Sequence, residues 1–242
     1  NYTTYPITVG VAVFDAWDAK GKIYANATAE PFKADYLTSQ NINLKYDINN
    51  NTLSPADSIY FSFYFQPGGG SNSNPWQTSG NAPEKSDSLI LEFAAFTSDT
   101  TPPQWQKIWS SQGMTLNDFY TKYNTYFKQI NIPITDSLYF YNGFQFRFYN
   151  YASLYNNEQL GWKSGNIDQW HLDYVYLNKN RSAADTMYDD IVFTKPLKSF
   201  VKGYSAVPWS HYNNLNSTTI LRDSLELFIK YLGNKNVNTV NV

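Results

Sequence analysis

The chain contains no cysteine. That excludes a disulfide framework, thiolate metal sites and cysteine nucleophiles. It does not fix the compartment, because an envelope protein can do without cysteine. Charge is also scarce: charged residues make up 16 % of the 242 positions, and the formal net charge is −2. No cluster of Lys and Arg offers a surface to phosphates, which excludes a nucleic-acid footprint. No polybasic run points to anionic lipid. No apolar stretch is long enough to span a bilayer as a helix, so direct membrane insertion is not expected. The most apolar and aromatic segment, residues 59–65, is interrupted by Ser62.

Histidine occurs only at positions 171 and 211. Two distant imidazoles without thiols do not supply the three or four ligands of a zinc site. A hydrolytic triad needs a base beside a nucleophile, and no G-x-S-x-G elbow is present. His171, between Trp170 and Leu172, therefore reads as a structural strand residue. Glu92, between Leu91 and Phe93, is the one glutamate on a clear strand. A hydrolase built around Glu92 or His171 on a jelly-roll scaffold is the weakest of the functional readings. The chain is expected to be no enzyme and to carry no cofactor.

What the chain does have is aromatic residues, 18 % of the total, led by 21 Tyr and 16 Phe. Such side chains favour strands. Residues 143–151 and 169–178 both alternate apolar and polar positions, the period of a strand with one buried face. They predict two core strands of one sandwich. Residues 7–13, 42–46, 57–66, 87–97, 104–110 and 188–194 read as further strands, with 57–66 and 87–97 as neighbours. Residues 25–40 look polar and irregular. Thr115 with Asp118 resembles a capping box, and apolar residues from Leu116 to Phe127 recur at helical spacing. The region 114–128 is thus a short helical insertion.

From Pro196 the pattern changes. Residues 206–212 read as extended around Pro208, and 224–231 as a strand in preference to a helix. The division expected is a sandwich over 1–195 and a linker with the start of a following β domain over 196–242. The first residue is Asn, and the chain reads as a piece of a longer protein.

Two loops draw attention. Residues 67–83 form a Gly/Ser/Asn/Pro-rich connection far longer than a hairpin needs, with Trp76 in its middle. Asp15, Asp18 and Gly21 form an acidic turn, and oxygen-rich turns suit Ca²⁺. Asp173 on a late strand would complete a rim site. The alternative is that Asp15 and Asp18 simply favour a turn. Trp17, Trp76 and Trp162 sit in loops and could stack sugars, but rings of this kind also fill cores and protein interfaces.

Several segments carry a resemblance: residues 6–15 (PITVGVAVFD), 57–67 (DSIYFSFYFQP), 85–93 (KSDSLILEF), 142–147 (NGFQFR), 168–177 (DQWHLDYVYL) and 207–209 (VPW). Together they are similar to jelly-roll domains of the MAM/laminin-G type in large secreted or periplasmic proteins of the Bacteroidota. Within that group they resemble the periplasmic subunits that cap the type 9 secretion translocon. The resemblance implies an all-β jelly-roll sandwich without catalytic residues, located in the periplasm at the outer membrane. It implies the outer-membrane β-barrel translocon SprA as partner. Gly69, Trp76, Phe119 and Tyr123 are the expected partner-binding residues, because the long loop and the helical insertion depart from a minimal sandwich. A lectin-like carbohydrate-binding domain of a secreted adhesin is the alternative.

Overall fold

A computed structural model describes residues 3–69, 82–96, 102–154, 168–214 and 220–233. The chain divides into two units, Asn1–Pro6 with Gly10–Thr186, and Ile7–Val9 with Met187–Val242. No helix among the described residues is long and apolar enough to cross a membrane.

The first unit is an all-β sandwich of two four-stranded antiparallel sheets. One sheet has the order β1 (Ala12–Phe14), β10 (Trp170–Asn178), β4 (Tyr60–Pro67), β7 (Lys128–Pro133). The other has the order β2 (Phe32–Thr38), β9 (Phe146–Ala152), β5 (Ser88–Ala95), β6 (Gln104–Gln112). A two-stranded ribbon of β3 (Ile42–Asn43) and β8 (Asn142–Phe144) accompanies them.

Alternation builds the core. Phe61, Phe63 and Phe65 of β4 face Leu89, Leu91 and Phe93 of β5, with Phe14, Phe148, Trp170 and Leu172 completing one cluster. Each of these is at most 2 % exposed. The rings meet edge to face: Phe63 with Phe148 at 4.9 Å and 76°, Phe65 with Phe119 at 5.2 Å and 87°. Such pairs add about 0.5–1.5 kcal/mol each beyond area burial. The two aromatic strands predicted at 143–151 and 169–178 do belong to one sandwich, although β9 and β10 lie in opposite sheets.

The strands at 57–66 and 87–97 are not neighbours as expected. β4 pairs with β10 and β7, and β5 with β6 and β9. Two long antiparallel strands joined by a long connection need not pair, and here the apolar faces meet across the core instead. Residues 32–38, expected to be irregular, form β2. Only Phe32 and Ala34 are buried there, and a register shift between Lys33 and Tyr36 breaks the alternation. β7 was also unforeseen: Ile130 and Ile132 alternate over too short a run to stand out beside the helix.

The helix α1 (Leu116–Tyr123) starts as its cap predicts. Thr115 Oγ1 accepts from Asp118 N–H at 3.1 Å and donates to the Asp118 carboxylate at 2.8 Å. It ends at Asn124 in the left-handed region (φ 52°), short of Phe127, which packs beyond the helix.

The second unit is small. β11 (Ile191–Phe193) pairs antiparallel with β12 (Ile229–Tyr231), and Val9 N–H donates to Phe193 O at 2.8 Å. The segment 188–194, expected to close the sandwich, therefore belongs here, and the division falls at Thr186/Met187 rather than 195/196. Only Ala12–Phe14 of the early alternating run joins the sandwich. Residues 206–212 are not extended throughout: α2 (Trp209–Asn214) starts after Pro208, whose carbonyl accepts from His211 and Tyr212 N–H. Proline suits the start of a helix because its missing N–H has no partner to lose there.

Candidate functional site

The two sheets differ on their outward faces. On the β1-β10-β4-β7 sheet the outward residues Ser62, Gln66, His171 and Asp173 are buried. Gln66 explains part of this. Its amide donates to Thr4 O at 2.9 Å and Tyr126 O at 2.7 Å, and accepts from Thr4 N–H at 3.1 Å. Along β7, Gln129 and Asn131 donate to Asp185 O and Ser182 O. Chain segments thus lie over this face.

The outward face of the β2-β9-β5-β6 sheet presents aromatic rings around one cation. The Arg147 guanidinium lies 4.1 Å from the centre of the Trp105 ring and 5.8 Å from those of Tyr36 and Tyr149. Arg147 Nε donates to Glu92 Oε2 at 2.6 Å, and Tyr149 OH donates to Glu92 Oε1 at 3.2 Å. Tyr36 stacks on Tyr149 at 5.3 Å and 19°. Burial and the Glu92 carboxylate push the Tyr149 phenol above its ordinary value, which fixes it as a donor. Tyr36 is 50 % exposed and opens the patch to solvent.

A register shift builds this face. Leu91 pairs with Trp109 but Glu92 pairs with Lys107, so β6 carries one extra residue, Ile108. Trp109 then packs inward on Phe63 and Phe65, and Trp105, four residues earlier, turns outward under Arg147. Without the bulge the two would share a face.

An acidic cluster lies at the sandwich rim, where β5 and β10 begin. Glu84, Asp87 and Asp168 each place a carboxylate oxygen within 4.8 Å of the others. The turn before β5 holds the first two: Asp87 N–H donates to Glu84 O at 3.0 Å, and Glu84 N–H to Asp87 Oδ2 at 3.0 Å. Gly113 backs this turn, and a Cβ there would collide with the Glu84 carbonyl. Ser153, after β9, joins the rest, its N–H donating to Asp168 Oδ2 at 2.6 Å and its hydroxyl to Asp87 Oδ2 at 2.9 Å. Burial, then the neighbouring Glu84, pushes the Asp168 and Asp87 carboxyls well above the ordinary range.

This is not the acidic set expected from sequence. Asp15 and Asp18 are used by their own turn: Asp15 Oδ1 accepts from Trp17 N–H, and Asp18 Oδ1 from Lys20 and Lys22 N–H. Asp173 is buried mid-strand on β10 opposite Tyr64. The three are not brought together as a ligand group among the described residues. Asp87 and Asp168 were legible only as acids just before two apolar strands, and nothing local links them.

Of the expected partner-binding residues, Phe119 is fully enclosed against Phe65 and Tyr123, so it belongs to the core and not to a docking surface. Tyr123 is partly buried beside it, under Lys122 and Lys128. Gly69 is buried at φ +75°, with a Cβ there colliding with Ala82. It closes the base of the 67–83 connection. Trp76 and Trp162 lie outside the described residues. Trp17 bridges to Ile23 and is exposed.

Glu92 and His171 do not form a pair. They point outward from opposite sheets with the core between them. Burial alone pushes His171 down to about 4, and neither ring nitrogen has a hydrogen-bond partner. No protein-family model matches the chain, and no curated protein matches it.

Proposed function

We propose that this chain is a non-enzymatic sandwich domain that binds a protein partner through the outward face of the β2-β9-β5-β6 sheet. The observation that carries the reading is Arg147 held among Trp105, Tyr36 and Tyr149 and fixed by Glu92. Tyr, Trp and Arg are the side chains enriched at the energetic centres of protein interfaces. The ion pair and the stacked rings hold the group in one geometry before any partner arrives, which lowers the entropy lost on docking.

The partner we propose is the β-barrel translocon SprA of the type 9 secretion system. In this reading the chain is a periplasmic subunit at the outer membrane, similar to the Plug that seals the barrel's periplasmic opening. The segment resemblances over residues 6–15, 57–67, 85–93 and 168–177 support it. The strand order supports the jelly-roll type: with β3 and β8 set aside, the chain passes from one sheet to the other at every step except from β5 to β6, which pair within one sheet, as two interlocked Greek keys do. Sealing needs rigidity and a contact surface, not an active site. The test is co-purification with SprA from native membranes. Tyr36→Ala together with Arg147→Ala should abolish it, and undiminished recovery of the barrel would refute the assignment of this face.

The second reading, a lectin-like module, has its own support in the near-parallel Tyr36 and Tyr149 rings beside a carboxylate and a guanidinium. A glycan array distinguishes the two. Binding of a sugar that disappears in Tyr36→Ala would favour the lectin.

A further inference from the structure

We propose that Glu84, Asp87 and Asp168 form a binding site for an oxygen-preferring divalent cation, Ca²⁺ in size and coordination. Two independent features meet there. The first is the grouping: three carboxylates from two separate strand approaches, with ligand atoms within 4.8 Å of one another. Two oxygens on opposite sides of a Ca²⁺ bound at about 2.4 Å are separated by that span.

The second is the state of the individual atoms. Asp87 and Asp168 are 0 % exposed. Asp87 Oδ2 accepts from the Ser153 hydroxyl and Glu84 N–H, and Asp168 Oδ2 from Ser153 N–H, while Asp87 Oδ1, Asp168 Oδ1 and Glu84 Oε2 are buried with no hydrogen-bond partner. Among the described residues no Lys or Arg forms an ion pair with any of the three. Buried carboxylate oxygens without a donor or a counter-charge carry a large penalty unless a cation or protons neutralise them. The fixed oxygens are already aimed, because Ser153 holds both aspartates by their other oxygen. The backbone that Gly113 allows to approach keeps Glu84 in the group.

The function such an ion supplies follows from its position. It would tie the turn before β5, the entry to β10 and the end of β9 into one rim, and so fasten strands of both sheets. Thiol ligands and a His are absent from the set, which disfavours Zn²⁺ and favours a hard cation.

The test uses the purified chain, stripped with a chelator and exchanged into metal-free buffer at neutral pH. Calorimetric titration with CaCl₂ is compared with MgCl₂, and thermal unfolding is followed with and without each. The expected result is saturable Ca²⁺ binding with a rise in Tm that depends on Ca²⁺ concentration, and at least a tenfold loss of affinity in Asp168→Asn. Glu84→Gln, on a less buried residue, guards against a folding failure in the first variant and should show the same direction of loss. Two results would overturn the proposal: no Ca²⁺ heat and no Tm change in the wild-type chain, or Ca²⁺ binding that both variants leave intact. The first would assign the cluster to shared protons, and the second would place the ion elsewhere.

Discussion

Arg147 on β9 faces Glu92 on β5 directly across the ladder, and their side chains close at 2.6 Å over the Trp105 ring. The pair is partly shielded, so its loss is felt. Arg147→Ala leaves Glu92 with only the Tyr149 hydroxyl and should cost about 2 kcal/mol in chemical denaturation. Arg147→Lys restores charge but not the planar stack or the fork geometry, and should recover less than half of that loss. Full recovery by lysine would show that charge alone matters at this site.

His171 supplies a pH dependence. Folded, its imidazole titrates at about 4, against an ordinary value of 6.5. Between those values the unfolded chain binds more protons, so the contribution linked to His171 shrinks as the pH drops through this window and is gone below it. A gap of that width corresponds to about 3 kcal/mol. His171→Leu should flatten this limb of the stability profile between pH 6.5 and 4. An unchanged slope in the variant would assign the acid sensitivity to other groups.

Gly113→Ala should destabilise the sandwich although its φ is ordinary, because the new methyl meets the Glu84 carbonyl. Relief requires the turn before β5 to move, at a cost of about 1–3 kcal/mol. Thermal unfolding reads the loss, and a variant as stable as wild type would mean that the turn gives way freely.

Thr115→Ala removes the acceptor for Asp118 N–H and should lower stability by about 1 kcal/mol, as helix caps do. Thr115→Ser should recover most of it. Equal losses in the two variants would point to packing of the threonine methyl instead of capping.

Sequence patterning revealed the sandwich where alternation was long. Phe61, Phe63 and Phe65, or Leu89, Leu91 and Phe93, can be read directly because every second residue is large and apolar. β2 was hidden because its inward positions include the small Ala34 and its register shifts before Tyr36. Pairing was less legible than strands, since β4 and β5 carry the same pattern whether they lie side by side or face to face. The acidic cluster was beyond reach for a further reason. Asp87 and Asp168 are joined through Ser153 and Glu84, and no local periodicity encodes a meeting of three distant loops. The Arg147–Glu92–Trp105 group was hidden in the same way: Trp105 and Trp109 look equivalent until a bulge separates them.

That bulge makes core and surface interdependent. Ile108 is the residue that lets a single strand send one indole inward and another outward. Deleting it would exchange the roles of everything on one side of the kink without altering any exposed side chain's identity. An apparently conservative change in the interior of β6 can therefore rewrite what the outer face offers, and variation in that strand should track the loss or gain of a partner more closely than variation at Tyr36 itself.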